Sequence, residues 1–275
     1  MQTFGIVRSC MWLGLAVACL SLAVPALAQQ APEAEAPMDW DLDRDDNALA
    51  AVLAFEPGPT FIVRCAGRRL DVLITGLPAV PEDAVSRIVD MKWGDEPGTT
   101  PPWSAVASTV AVSQAPDWLA RTLRHGGSLR MTARAALDAP GSQYRLDIPP
   151  SPNAINEVLE ACRMPLEDPR DVDMASAFDR SLLEGLEWRQ RPAPKFPQQA
   201  MIAGAREGMA RLSCCVQPTG RVTDCRIESE STPGIGFGPS AMASMRGARL
   251  KPGSPSPHPD GSPPLVSFTI RFRLA

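Results

Sequence analysis

The chain has 275 residues, of which 44% are hydrophobic and 21% charged, and a formal net charge of −4. Such a composition excludes a disordered chain, and the length is sufficient for two domains of ordinary size. The 29 prolines and the aromatic content of 5% favour strands, turns and loops over long helices.

The first 28 residues have the pattern of a secretory signal. Arg8 is the only charge before an apolar stretch over residues 11–28, and Ala26-Leu27-Ala28 is a small-x-small cleavage site. Cleavage after Ala28 leaves Gln29 as the first residue of an exported, periplasmic chain. The alternative is that residues 11–28 stay in place as an inner-membrane anchor.

Export has a consequence for the cysteines. Five remain after residue 28, in an oxidising compartment where disulfides persist. They are Cys65, Cys162, Cys214, Cys215 and Cys225. An odd number leaves one thiol free or paired with another chain.

Residues 29–47 form an acidic, flexible segment that ends in a run of aspartates. The run lacks the Gly at position six and the Glu at position twelve of an EF-hand loop, so it does not indicate calcium. We interpret it as a solvated helix start, in which Asp45 or Asp46 caps a helix over residues 48–54.

Residues 48–162 predict an exported α+β domain of no recognised family. Its strands are predicted at residues 61–65, 70–74, 86–91, 105–112, 129–135 and 144–148, and its helices at 116–124 and 152–162. The last helix places Cys162 on its buried face, and Cys65 ends the first strand. We therefore predict a Cys65–Cys162 disulfide that ties the helix to the sheet.

Residues 163–190 are predicted to be a linker that holds a helix somewhere within 173–187. The charge also divides near this point. From Arg189 onward there are 12 Lys/Arg and 5 Asp/Glu, a net charge of +7, whereas residues 29–188 carry −12. Opposite charges allow the two halves to dock on each other.

Residues 191–275 follow the order strand, helix, hairpin, helix, strand. A short Ala-rich segment over 198–208 precedes a hairpin, with runs at 211–216 and 221–228 around a Pro-Thr-Gly turn. A Gly-rich loop and a helix over 239–247 follow. In the final run, five apolar residues alternate with polar ones, which predicts a strand with one buried and one wet face. The whole chain is therefore predicted to be α+β.

This ordered set resembles the C-terminal domain of the TonB energy-transducer family, over about residues 189–275. The residues that carry the resemblance are Phe196-Pro197, Ala200, Gly208, Val216, Gly220, Val222, Ile227, Phe237, Ala241, Met245, Arg249-Leu250-Lys251-Pro252 and the alternating final strand. The family's long Pro-rich spacer is absent.

The resemblance implies a periplasmic protein that binds outer-membrane TonB-dependent receptors by adding a receptor strand to its sheet edge. The final strand and residues 189–197 are the candidate edges. Candidate partner-binding residues are Phe196, Pro197, Phe268, Ile270 and Phe272. The alternatives are a structural or assembly protein of the cell envelope, and an anchored energy transducer if residues 11–28 are uncleaved.

The hairpin contains three cysteines and room for one disulfide. A two-residue turn at Thr219-Gly220 sets Cys214 opposite Cys225, whereas a three-residue loop sets Cys215 diagonal to Cys225. The cysteine spacing also resembles a disulfide-bearing subgroup of TonB-like domains. We predict a Cys214–Cys225 bond and a free, outward Cys215 that can link two chains, in addition to any non-covalent homodimer.

No sequence motif indicates catalysis. His125 and His258 are too isolated for a histidine-based metal site, and there is no nucleophile elbow, zinc-protease helix, P-loop or dinucleotide motif. The chain is therefore predicted to be non-enzymatic and to need no metal or cofactor. Export argues against nucleic acid as a partner of the basic C-terminal half.

Overall fold

The computed structural model describes residues 39–136, 139–178, 186–253, 255, 258 and 261–274, and the N-terminal part of these residues forms one large antiparallel sheet. Its nine strands are β1 (Asp41–Asp45), β2 (Ala48–Ala54), β3 (Thr60–Ala66), β4 (Arg69–Thr75), β5 (Ser86–Trp93), β6 (Pro102–Ala107), β7 (Val110–Ser113), β8 (Gly127–Arg134) and β9 (Ser142–Ile148). They are ordered β1-β2-β3-β4-β7-β6-β5-β8-β9. Most neighbouring strands are consecutive in the chain, and the order changes at two places, where β4 meets β7 and where β5 meets β8.

Helices cover one face of this N-terminal sheet. They are α1 (Pro116–His125), which packs on β4, and α2 (Ala154–Ala161), which packs on β2 and β3. The core between them includes the fully buried side chains of Phe61, Trp103, Leu119 and Ile155. Ahead of α2, the buried Ser151 hydroxyl accepts a hydrogen bond from the Ile155 amide at 3.1 Å, whereas the N-cap residue Asn153 forms no side-chain capping bond.

The helix predicted over residues 48–54 is wrong. These residues form β2, which pairs with β1 on one side and along its full length with β3 on the other. Ala and Leu favour helix in isolation, but two ladders of hydrogen bonds outweigh that propensity. Asp45 accepts a hydrogen bond from the Asp46 amide at 2.7 Å, within the β1–β2 turn rather than at a helix start.

The single strand predicted over residues 105–112 is instead a hairpin of β6 and β7. It turns at Ser108 and Thr109, whose carbonyl groups accept hydrogen bonds from the amides of Val80 and Leu77. The loop that follows β4 therefore supplies hydrogen-bond donors to the two carbonyl groups of this turn. The turn contains no Gly or Pro, so the sequence did not indicate it.

Part of the predicted linker is regular structure. Helix α3 (Asp171–Ala177) is followed by Phe178, whose ring lies 5.3 Å from that of Trp118 in α1. After the undescribed residues, which include Leu182 and Leu183 of the predicted helix, the strand β10 (Trp188–Gln190) pairs with β13 (Arg249–Leu250). The chain is therefore held at both ends of this stretch.

The C-terminal elements are α4 (Gln198–Ile202), β11 (Glu207–Val216), β12 (Val222–Glu230), α5 (Phe237–Met245) and β14 (Leu265–Arg273). The sheet order is β12-β11-β14, and α5 packs on β11 and β12. Phe237 is fully buried between this helix and the sheet. The mixture of helices and strands confirms the predicted α+β class. The first strand, β10, lies in the predicted linker, and residues 191–197 form no strand, whereas α4, β11–β12, α5 and β14 follow one another in the predicted order.

The described residues from 39 to 274 pack as one compact unit. The N-terminal sheet with α1 to α3, called here the N-terminal layer, lies against the C-terminal sheet. The predicted domain boundaries at residues 162 and 191 therefore stay predictions.

Candidate functional site: the free edge of the last strand

β14 lies at one edge of the C-terminal sheet. Within the described residues it pairs with a single strand, β11, in unbroken antiparallel register from Glu207–Arg273 to Cys215–Leu265. An edge strand exposes the backbone groups of alternate residues, which can accept a further strand.

The flanking hydrogen bonds identify which residues of β14 face outward. Leu274 donates its amide proton to the Arg206 carbonyl at 2.9 Å, and Val216 donates to the Pro264 carbonyl at 3.0 Å. Because antiparallel pairing alternates, the even-numbered residues of β14 face β11. The backbone groups of the odd-numbered residues, including Thr269 and Arg271, therefore point to the free edge.

A groove runs beside this edge. It has a volume of about 230 Å³ and is lined by Trp188, Arg191, Pro192, Phe268, Thr269 and Ile270. The Trp188 ring forms one wall, with its centroid 5.4 Å from that of Phe268. The groove therefore offers an exposed guanidinium group, an aromatic wall and the free backbone of Thr269.

The predicted partner-binding side chains belong mostly to the core. Phe268, Ile270 and Phe272 are each less than a tenth exposed, and the half-buried Phe196 packs edge-on against Phe237, with ring centroids 5.6 Å apart. Pro197 immediately precedes α4. These residues shape the edge from within, and the groups that face outward are backbone.

The sequence interpretation missed Trp188 and Arg191 as groove residues. Trp188 fell inside the predicted linker, and Arg191 lay within the predicted edge segment 189–197 but was not named as a partner-binding side chain. The available signal was a tryptophan three residues before an Arg-Pro pair, but nothing in the sequence indicates that its ring packs against that of Phe268.

The opposite edge of the sheet is covered. Ser229 on β12 donates its hydroxyl proton to the Gln114 carbonyl at 2.9 Å, and α1 packs against β12. Arg211 on the central strand also reaches across, and its Nε donates to Gln114 Oε1 at 3.0 Å. The N-terminal layer therefore leaves β14 as the open edge of the C-terminal sheet.

The face of β14 that was predicted to be solvent-exposed is exposed only in the C-terminal half of the strand. Arg271 and Arg273 are exposed, but Leu265 and Ser267 are each 3% exposed because α3 packs over them. Ser267 accepts a hydrogen bond from Arg211 at 3.1 Å. Burial by the N-terminal layer and repulsion from Arg271 lower the Arg211 pKa to about 10.

Both predicted cysteine pairs lie at disulfide distance. The Cα atoms of Cys65 and Cys162 are 5.5 Å apart, and those of Cys214 and Cys225 are 4.1 Å apart. The first pair ties α2 to β3.

The hairpin reaches the Cys214–Cys225 pair by a different route from the predicted one. Its loop has three residues, because Gln217 donates to the Arg221 carbonyl at 2.9 Å, so the two-residue turn is wrong. Asp224 then adds a residue to β12, and the register shifts between Ser213 and Cys215. This bulge restores the alignment that the longer loop removes.

Cys215 is free, but it does not point to open solvent. It is half-buried and packs against the core of the N-terminal layer, and this burial raises the pKa of its thiol. The structure does not support a homodimer linked through Cys215.

No helix of the described residues has the length and hydropathy needed to cross a membrane. In the same residues, no group of His, Cys, Asp and Glu side chains is arranged to hold a metal ion. The predicted signal, with Ala28 and Gln29, lies outside the residues that the structure describes.

Comparison with known proteins adds one match. Residues 192–274 match the family described as Gram-negative bacterial TonB protein C-terminal. No curated protein matches the chain. The matched range spans α4, the β11–β12 hairpin, α5 and β14 and includes most of the groove, so the predicted resemblance is confirmed: the C-terminal part of this chain is similar to the TonB C-terminal domain.

Proposed function

We propose that this is a non-enzymatic TonB-like protein of the periplasm that binds a segment of an outer-membrane TonB-dependent receptor. The receptor segment adds to β14 as a fourth strand of the C-terminal sheet. The family match over residues 192–274 supports the association with TonB-dependent transport, since that family is a non-catalytic energy-transducer domain. No cofactor enters this proposal.

The observation that carries the proposal is the free edge of β14. Its outward backbone groups can form main-chain hydrogen bonds with an extended peptide, and such bonds give affinity with little dependence on sequence. The groove between Trp188 and β14 gives the peptide's side chains a place to pack. The covered edge of β12 directs the incoming strand to β14.

A second candidate is a structural protein of the envelope. The observation that favours it is the N-terminal layer, which covers one face and one edge of the C-terminal sheet and is tied together by the Cys65–Cys162 pair. Under this proposal the β14 edge has no peptide ligand.

Substitution of Thr269 distinguishes the two candidates. Thr269→Pro removes an amide that faces the free edge and leaves the β11 ladder intact, since proline is tolerated at outward positions of edge strands. The matched control, Thr269→Val, keeps the amide and the β-branched shape. Ile270→Pro removes an amide that faces β11, and we expect it to disrupt the sheet.

The full chain is titrated with extended peptides from the periplasmic side of TonB-dependent receptors, and NMR or calorimetry monitors the binding. We expect the wild type and Thr269→Val to bind equally and Thr269→Pro to lose about tenfold or more in affinity, as loss of one or two main-chain hydrogen bonds requires. Equal binding by folded Thr269→Pro rules out the β14 edge. No binding by the wild type at about millimolar peptide favours the structural candidate.

A further inference from the structure

The N-terminal layer meets the C-terminal hairpin at a cluster of ionisable side chains, called here the seam. A polar cavity of about 50 Å³ lies at its centre. The charged residues that line the cavity are Asp117, Arg121, Asp168, Arg170, Asp171, Arg226 and Glu228. They come from α1, from the segment that leads into α3, and from β12.

Two carboxylates of the seam have guanidinium partners. Arg121, whose side chain is 6% exposed, donates from Nε and Nη2 to the two oxygens of Asp171 at 2.6 and 2.8 Å. Arg226 pairs with Asp168 across the boundary between the N-terminal layer and β12. The first pair joins α1 to α3 within the N-terminal layer, and the second crosses the seam to β12.

A third carboxylate, Glu228, is held by the Ser213 hydroxyl. Arg170 approaches the same place and donates to Ser213 Oγ at 2.8 Å, while its Nε and Nη1 are buried without a hydrogen-bond partner. A cavity of this size has room for water that can satisfy those two nitrogens.

Asp117 is the fourth carboxylate and has no such partner. Among the described residues it forms no ion pair and no hydrogen bond. Three guanidinium groups therefore face four carboxyl groups, so the fully ionised cavity carries one surplus negative charge. Burial, and then the negative charge of Glu228, raise the pKa of Asp117 to about 6. Burial raises the pKa of Glu228 as well.

We propose that the seam takes up one proton, held on Asp117, under mildly acidic conditions, and that this uptake tightens the N-terminal layer against the β11–β12 hairpin. The seam is thus a pH-sensitive latch. It lies on the face of the C-terminal sheet opposite the core of that sheet, and the cavity shares no lining residue with the β14 groove.

The sign of the effect follows from where the proton binds. When the seam is open, Asp117 is solvated and ionises with an ordinary pKa, and when it is closed, the pKa is higher. Closure therefore binds a proton between the two values, so falling pH favours the closed seam. With pKa values of about 3.8 and 6, closure becomes about tenfold more favourable between pH 7.5 and pH 5.0.

Cys215 provides the readout. It lies beside the seam on β11, packs against the core of the N-terminal layer and becomes accessible when that layer separates from the hairpin. Its alkylation by N-ethylmaleimide in the full chain, followed by peptide mass mapping, measures the open fraction. The alkylation rates of wild type and variant are compared at the same pH, so that the pH dependence of thiol ionisation cancels in their ratio.

Asp117→Asn is the test variant, because Asn has the shape of Asp and does not ionise. We expect the ratio of the wild-type rate to the Asp117→Asn rate to fall about tenfold from pH 7.5 to pH 5.0. Asp147→Asn removes an exposed carboxyl of β9 and is the matched control, with a ratio that stays constant. A constant ratio for Asp117→Asn overturns the proposal.

A second variant tests the proposal independently, in case Asp117→Asn does not fold. Glu228→Gln removes the negative charge that raises the Asp117 pKa, so the pH midpoint of Cys215 protection should move to lower pH. An unchanged midpoint in folded Glu228→Gln contradicts the assignment of the proton to Asp117.

Discussion

Cys214 faces Cys225 across the hairpin because Asp224 adds one residue to β12, and the two Cα atoms lie 4.1 Å apart. Asp224 has a φ of 48°, in the left-handed region that glycine adopts most readily and that aspartate tolerates. The bulge thus depends on the type of residue at one exposed position.

This dependence predicts the effect of substitutions at Asp224. Asp224→Gly should change the free energy of unfolding by less than about 1 kcal/mol, whereas Asp224→Val should lower it by about 1–3 kcal/mol, because a β-branched residue is strained at positive φ. Urea unfolding of the oxidised protein measures both. A valine variant as stable as the wild type would show that the bulge does not require this backbone conformation.

Gly220 and Gly204 test close packing separately from backbone conformation. Their φ angles are 78° and 76°, so alanine is strained to a similar extent at both. At Gly220 a Cβ would also collide with the Leu250 carbonyl, next to the hydrogen bond from the Leu250 amide to the Gly220 carbonyl at 2.8 Å, whereas at Gly204 it meets open space.

We therefore expect Gly204→Ala to cost about 1 kcal/mol and Gly220→Ala about 2 kcal/mol more. Thermal unfolding followed by circular dichroism gives the comparison. Equal losses would show that the hairpin loop can move away from β13.

The two cysteine pairs should differ in what they contribute to stability. In the chain-entropy account, a cross-link stabilises more when it closes a longer loop. The separations are 97 residues for Cys65–Cys162 and 11 residues for Cys214–Cys225. Cys65→Ser with Cys162→Ser should cost about 4–5 kcal/mol, and Cys214→Ser with Cys225→Ser about 3 kcal/mol.

Peptide mass mapping of the oxidised wild type is the control for this comparison. Free thiols at Cys65 and Cys162, or a bridge from Cys215 to Cys225, would contradict the assigned pairs. The reverse order of stability would mean that strain or denatured-state structure outweighs loop length.

Local pattern was a sufficient guide where hydrogen-bonded neighbours lie close in sequence. The β3–β4 hairpin, α1 and β14 were predicted because alternation, an N-terminal Pro and a closing Gly are local signals. For β2, the Ala-rich sequence favours helix, and the strand exists only because β1 and β3 flank it. Such long-range pairing has no local signature.

The candidate site was predicted only in part, because some of its features also depend on contacts between residues far apart in the sequence. The final strand was expected to be an edge. Which of its amides point outward is determined by the hydrogen bonds of Leu274 and Val216 at the two ends of the β11–β14 ladder, and the sequence does not show these bonds. In the sequence, Asp117 is the second residue of the helix predicted over 116–124, and nothing marks it as a site residue. Its position beside Glu228 depends on the packing of the N-terminal layer, which no periodicity reveals.

The position of β11 between β14 and β12 also has a mechanical consequence. A strand paired with β14 and pulled along its own axis loads the ladder in shear, so that many hydrogen bonds resist together. The load would pass from β14 to β11, through the Cys214–Cys225 cross-link to β12, and through the Arg226–Asp168 pair to the segment before α3. Tension applied at the free edge would thus be shared with the N-terminal layer through covalent and ionic links instead of being borne by the three-stranded sheet alone.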